Sequence, residues 1–317
     1  MRQCPETAFR PRLVDYNHCH RLHPSCLNPA AANSFGEIYE MEKILLALDG
    51  NNPQAPALDF ACWLGSFTHS KITGIFLENL AAEEDLVLQD SGRSGAAWQA
   101  DKNCDAYARK NVLVEKNIDF FKQACERRGT RYAVHRDGGD PAGEIVQESR
   151  YADLLVVDGE TSFQKKFEGT PTAFVKDVLA AAECPVIIAP GHFEGIEEII
   201  FAYDGSKSSM FAIKQFTYLL PGLDDKKVTL LNVKNQETAA ANELPLKEWL
   251  SSHYSSIGFE TLEGSTGTEL LGYLLKKKNV FIVMGAYGRN MLSRFIKHSQ
   301  AEIVIKTITQ AIFIAHG

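Results

Sequence analysis

The residues best suited to chemistry lie in the second half of the chain. Asp204-Gly205-Ser206 follows one short apolar run. Gly285-Ala286-Tyr287-Gly288 follows another and leads through Arg289 to His298 and Ser299, where a helix is expected to start. An apolar run that ends in such a turn reads as the carboxyl end of a strand. In open parallel sheets, ligands bind at those ends, near a switch in strand order. Glycines let the backbone approach a bound group and take positive φ. The free N–H groups of a helix N-terminus, with the positive end of its dipole, favour an anion. A serine hydroxyl there can donate to a phosphate oxygen, and Arg289 and Arg294 can neutralise its charge.

Each assignment has a structural rival. Ser299 with Glu302 is also Ser-x-x-Glu, a capping box that needs no ligand. Gly285 and Gly288 also suit a tight strand-to-loop turn. Asp204 also suits a helix cap near Ser206, or a turn with its own backbone. Solvated surface arginines are commoner than phosphate-binding ones. Gly205-Ser206-Lys207-Ser208 looks like the end of a P-loop, but Gly-x4-Gly-Lys-Ser/Thr is absent, so that reading is set aside.

The elements that position these residues are visible from Met41 onward. Short apolar runs alternate with amphipathic stretches, which predicts an α/β fold with a mostly parallel sheet. The pattern occurs twice. Ile44-Leu45-Leu46-Ala47-Leu48-Asp49-Gly50 returns as Ile199-Ile200-Phe201-Ala202-Tyr203-Asp204-Gly205, an offset of 155 residues (49 to 204). Leu155-Val156-Val157-Asp158-Gly159 returns at Ile282-Val283-Met284-Gly285, read at an offset of 126 (159 to 285). Cys184-Pro185-Val186-Ile187-Ile188-Ala189 matches Gln310-Ala311-Ile312-Phe313-Ile314-Ala315 at the same offset. A repeat this long is a duplicated domain rather than a solenoid unit. The change of offset predicts an insertion in the first copy at about 79–108, with Glu83-Glu84-Asp85 and Ser91-Gly92-Arg93-Ser94-Gly95 as a surface loop. The expected division is a domain at 41–190, a linker at 191–196 and a domain at 197–317. Leu246, Trp249, Leu250, His253, Tyr254 and Ile257 fall on one helical face, with Trp249 read as core. Asn117 to Arg128 reads as a helix through Ile118, Phe121 and Cys125.

With these residues placed, the chain resembles the universal stress protein family. That family's ATP signature is Gly-x2-Gly-x9-Gly-Ser/Thr after the fourth strand, with an aspartate after the first. Here it reads Gly285-x2-Gly288-x9-His298-Ser299, with Asp204 as the aspartate. Val283-Met284-Gly285-Ala286-Tyr287-Gly288-Arg289 and Ser299-Gln300-Ala301-Glu302 look like the family's flanks. The resemblance covers 41–317 as a tandem pair and is strongest in the second copy. It implies two doubly wound domains, each with its own five-stranded parallel sheet, of the adenine nucleotide alpha hydrolase-like type. It implies that Asp204 and Gly205 meet an adenine base, and that Gly285, Gly288, Arg289, His298 and Ser299 surround ribose and phosphates. ATP or another adenine nucleotide is then the ligand, and Mg²⁺ is left open. His298 departs from the pattern, because the family has glycine there. Its ring either donates to a phosphate or blocks the site. At the 126 offset the first copy offers Gly159, Ser162, Thr172 and Ala173, so no ATP is expected in that half. The resemblance also implies that Val186–Ala189 and Ile312–Ala315 pair within one chain as a pseudo-dimer. An apolar terminal strand left unpaired is an association hazard.

Of 317 residues, 45% are hydrophobic and 23% charged, the balance of a soluble globular protein long enough for two domains. A net charge of −7 disfavours general binding to nucleic acid or anionic lipid. No apolar run is long enough to span a bilayer. Seven cysteines without a Cys-x-x-Cys pair read as a reduced, cytoplasmic protein. Residues 1–40 lack periodicity and read as an irregular tail, with Met41 as the expected start. A metal site from Cys19, His20, His23 and Cys26, with His18, is the rival for that segment, but its spacing matches no standard zinc module. No nucleophile elbow, His-Glu-x-x-His or diagnostic carboxylate pair is present, which argues against hydrolysis. His135, expected at the end of the third strand, reads as structural. The function expected is a cytoplasmic stress-response regulator or sensor with an adenine nucleotide in its second half and a protein partner that the sequence does not name. The alternatives are a nucleotide-free interaction module and, last, a slow ATPase or phosphotransferase.

Overall fold

Strand β1 (Lys43–Asp49) forms where the apolar run predicts it, and Ile44 to Leu48 are all buried. Its residues serve two cores in alternation. Ile44, Leu46 and Leu48 face one, and Leu45 and Ala47 face the other. A strand covered on both faces has no polar side to show, which is why the run is continuous. In this computed structural model the described residues are 41–79, 105–164, 167–233, 243–262, 266–285 and 310–315. The tail at 1–40 and the acidic and Gly/Ser-rich loop expected after β2 lie outside them.

The remaining strands are β2 (Lys71–Asn79), β3 (Tyr132–Gly139), β4 (Leu154–Asp158), β5 (Val186–Ala189), β6 (Glu198–Tyr203), β7 (Lys227–Val233), β8 (Ser256–Leu262), β9 (Val280–Gly285) and β10 (Ala311–Ala315). They form one ten-stranded sheet in the order β3-β2-β1-β4-β5-β10-β9-β6-β7-β8. The expectation of two separate five-stranded parallel sheets is therefore wrong. β5 and β10 pair antiparallel through Ile188↔Ile312, Ile187↔Phe313 and Val186↔Ile314. All other pairings are parallel. The reason is edge chemistry. Each strand offers a row of backbone donors and acceptors and a fully buried apolar sequence, and each satisfies the other.

Helices cover both faces. α1 (Ala55–Phe67), α2 (Asp105–Arg127), α5 (Lys207–Leu219) and α6 (Glu243–Ser251) contribute to one core, which also holds Phe281 and Phe313. α3 (Pro141–Ser149), α4 (Ala173–Ala181) and α7 (Thr266–Leu274) contribute to the other. Both cores run unbroken across the β5–β10 seam. Trp249 is half-buried and packs against the core beside buried Leu246, Leu250 and Tyr254. The predicted helical stripe is cut short, however. α6 ends at Ser251, and Ile257 belongs to β8. In the segment after β5, Phe193 sits on Trp63 at 4.5 Å and on Phe60 at 5.1 Å between ring centroids.

Candidate functional site

Strand order reverses twice. β1 lies between β2 and β4, and β6 lies between β7 and β9. The carboxyl ends of β1 and β4 form one such point, and those of β6 and β9 form the other. These are the places where an open parallel sheet takes a ligand.

At the second point, Asp204 and Gly205 follow β6, and Gly285 ends the adjacent β9. Gly205 has φ +80°, a conformation that glycine adopts without a steric cost. The Ser206 N–H donates to Asp204 Oδ1 at 3.0 Å, closing a turn of the aspartate on its own backbone. Ser206 then caps α5 by accepting from the Ser209 N–H at 3.1 Å. Of the two rivals to a ligand role for Asp204, the turn with its own backbone is present and uses Oδ1, whereas the helix is capped by Ser206 and not by Asp204. Gly285 is fixed by packing. A Cβ there would lie 2.5 Å from the backbone carbon of Ser208 and 2.6 Å from its carbonyl oxygen. The structure therefore brings Asp204, Gly205 and Gly285 to one end of two neighbouring strands. Gly288, Arg289, His298 and Ser299 lie outside the described residues.

The first point repeats the turn and loses the opening. The Asn51 N–H donates to Asp49 Oδ1 at 2.9 Å, the counterpart of the Asp204 turn. Hydrogen-bond register corrects the alignment of the fourth strands. β1 pairs Ile44 with Leu154, and β6 pairs Ile199 with Phe281. β4 pairs Asp158 with Ala189, and β9 pairs Gly285 with Ala315. Both pairings make Asp158, and not Gly159, the counterpart of Gly285. The offset at this strand is therefore 127 (158 to 285) rather than 126. Asp158 is buried, and burial raises its carboxyl above the ordinary range against the N–H of Glu160, which donates at 2.7 Å. Asp49 is raised likewise by burial, against the N–H groups of Asn51 and Asn52. At the offset of 127, Ser299 corresponds to Thr172, which caps α4 by accepting from the Val175 N–H at 3.3 Å.

The start of α4 is already supplied with an anion. Glu168 accepts from Ser162 Oγ at 2.5 Å and from the Ala173 N–H at 3.3 Å. A carboxylate in that position answers the same free N–H and dipole that would draw a phosphate. Near the carboxyl end of β2, Glu78 is buried between Lys110 of α2 at 2.8 Å and Arg136 of β3 at 2.6 Å. Burial works to raise Glu78, but hydrogen bonds from Arg136 and Lys110 prevail and hold it below the ordinary range. Asn117 of α2 donates to the carbonyls of Gly50 at 2.9 Å and Asn51 at 3.2 Å.

Sequence reasoning missed Glu168, Asn117 and the Glu78 cluster. Their partners are distant in the chain or sit in a turn with no periodicity, so nothing in the local pattern flags them. His135 lies within β3 rather than at its end, 3.7 Å from Glu148. Among the described residues no cluster of histidine, cysteine and carboxylate is arranged to hold a metal. None of their helices is long and apolar enough to cross a membrane.

No family model matches the chain. The chain is 23% identical over 287 residues to universal stress protein Slr1230 of Synechocystis, an alignment covering 84% of this chain and 97% of that protein. Its fold is similar to that of a universal stress protein from Archaeoglobus fulgidus, with a TM-score of 0.62 and 16% identity over 86% of this chain and 98% of that one. It is also similar to PA1789 of Pseudomonas aeruginosa, described as functionally unknown, with a TM-score of 0.56 and 13% identity over 88% and 94%. Below 25% identity these likenesses show the fold alone. The sequence similarity to Slr1230 runs through both halves of the chain, and the fold is shared with the Archaeoglobus fulgidus universal stress protein.

Proposed function

We propose that the chain is a cytoplasmic stress-response regulator, built as a tandem pair at 41–190 and 197–317, that binds ATP or another adenine nucleotide in its second half. The observation that carries this reading is the meeting of Asp204, Gly205 and Gly285 at the β6–β9 switch point. The Asp204 turn uses Oδ1 and leaves the other carboxylate oxygen for an adenine amino group, and in this reading Gly288, Arg289, His298 and Ser299 would meet ribose and phosphates. The nucleotide would act by population shift, ordering that segment and changing a surface that a protein partner reads. The first half would take no nucleotide, because Asp158 stands where Gly285 stands in the second and Glu168 holds the start of α4.

The test is calorimetric titration of ATP, with and without Mg²⁺, into the whole chain and into His298→Gly. Micromolar binding by the wild type, about −8 kcal/mol, supports the sensor. Binding only by His298→Gly means that the histidine closes the site. Glu168 favours a second reading, a nucleotide-free interaction module, since one half already fills its anion position from within. Absence of binding by both proteins would leave that reading standing.

A further inference from the structure

Cys62 on α1 and Cys125 on α2 are 63 residues apart in the chain, yet their sulfurs lie 3.7 Å apart. Both are fully buried. Cys184, the other cysteine among the described residues, belongs to the opposite core. The two helices are also tied by Arg128 to Asp59 at 2.7 Å and by Thr130 Oγ1 to the Cys62 carbonyl at 3.3 Å. Two turns before Cys125, Asn117 holds the carbonyls of the loop after β1. The position of α2 against α1 is thereby linked to the end of the sheet.

We propose that Cys62 and Cys125 form a peroxide-oxidised dithiol, whose disulfide fixes α2 on α1 and so rigidifies the loop that follows β1. The inference is independent of nucleotide binding. The Cys62 sulfur attacks one oxygen of hydrogen peroxide and the O–O bond breaks. The departing hydroxide takes up a proton as water, leaving a sulfenic acid on Cys62. The Cys125 sulfur then attacks the Cys62 sulfur. The S–O bond breaks, a second water leaves with the Cys125 proton, and the S–S bond forms. Two thiols lose two electrons in all, and one peroxide gains them.

Cys62 is the attacking sulfur because of its surroundings. The hydrogen bond from Cys125 holds its thiol below the ordinary range against burial, and the charge of Arg128 adds to this. The same shared proton pushes Cys125 up. Closing the gap to a bond of ~2.05 Å requires side-chain rotation and a small approach of the helices. Burial also selects the reagent. The proposal requires an oxidant as small and neutral as hydrogen peroxide, since a fully buried pair excludes a disulfide as large as oxidised glutathione.

The experiment uses the whole reduced protein, treated with hydrogen peroxide under native conditions, alkylated and mapped by mass spectrometry after digestion. The expected product is a cross-linked peptide pair holding Cys62 and Cys125, reversed by dithiothreitol, with a Tm several degrees above that of the reduced protein. In Cys125→Ser the second step is lost, and Cys62 is expected to become reactive to dimedone. Recovery of both cysteines alkylated from the peroxide-treated wild type overturns the proposal. So does over-oxidation of Cys62 with Cys125 untouched. The wild-type map decides even where the variant fails to fold. Hydrogen exchange at 50–54 should slow in the disulfide form, and unchanged exchange would overturn the link to the loop.

Discussion

A methyl group on Gly285 would sit 2.5 Å from the backbone of Ser208, closer than real contacts allow. Either α5 must move or β9 must bend. Gly285→Ala is therefore expected to lower stability by about 1–3 kcal/mol in urea unfolding without any nucleotide. A wild-type midpoint would mean that the helix yields freely and that the glycine is kept for something else. Asp158, the counterpart in the first half, makes a different prediction. Its carboxyl is raised by burial, so the folded state holds its proton more tightly than the unfolded chain. Such a group weakens the fold at neutral pH, and the penalty shrinks as pH falls through its folded pKa and is gone below the unfolded value. Asp158→Asn should raise the unfolding midpoint at pH 7 and have less effect at pH 4, since the amide oxygen can still accept from Glu160. A midpoint that falls at pH 7 would contradict this.

Glu78 works with the opposite sign and joins three elements: β2, α2 and β3. Because its folded pKa is depressed, its contribution is present above the unfolded value and is lost as pH falls through the folded one. Glu78→Gln leaves Lys110 and Arg136 without their shared carboxylate. Because Arg136 keeps Glu115 and Asn111, the change should cost about 1–3 kcal/mol near neutral pH, with a smaller penalty in acid, readable as a pH series of denaturant melts. A loss that does not change with pH would point to shape rather than charge. Elements of this kind divide sharply in how much of them the sequence shows. β1, β2, β5, β6, β7 and β10 stand out as apolar runs because both of their faces are buried. α2 stands out through Ile118, Phe121 and Cys125. β8 does not, since its mixed exposure continues the periodicity of α6 past Ser251. The one-residue slip between β4 and β9 was likewise hidden. Asp158-Gly159 offers a glycine beside the correct position, and only hydrogen-bond pairing distinguishes the two.

At the scale of the molecule, the seam between β5 and β10 forms as the family resemblance implied, with Val186–Ala189 against Ile312–Ala315, although the residues alone show only the two strands. Both strands are legible, but that they merge two sheets into one depends on contacts more than a hundred residues apart. Residues 41–190 produced alone would carry β5 as an open apolar edge. They are expected to self-associate, and to form a one-to-one complex when mixed with 191–317, as read by light scattering on a sizing column. A soluble monomer of the first piece would show that the edge is protected in another way. Within the candidate site, Asp204, Gly205 and Gly285 were legible because turn residues after apolar runs mark strand ends. Glu168 was not, because a carboxylate five residues before a helix N-terminus is unremarkable until the intervening turn folds it back.

The place of β10 has a temporal meaning as well. It follows the nine other strands among the described residues, yet it lies at the middle of the sheet, between β5 and β9. On the ribosome, each half is laid down outward first, from β1 to β3 and from β6 to β8, and only then toward the centre. The two wings can assemble while the central slot stands empty, and the seal is inserted only when Ala311–Ala315 has left the exit tunnel. Until then, both sides of the slot are exposed at once, so the emergence of β10 governs how long the nascent protein is open to the wrong neighbour.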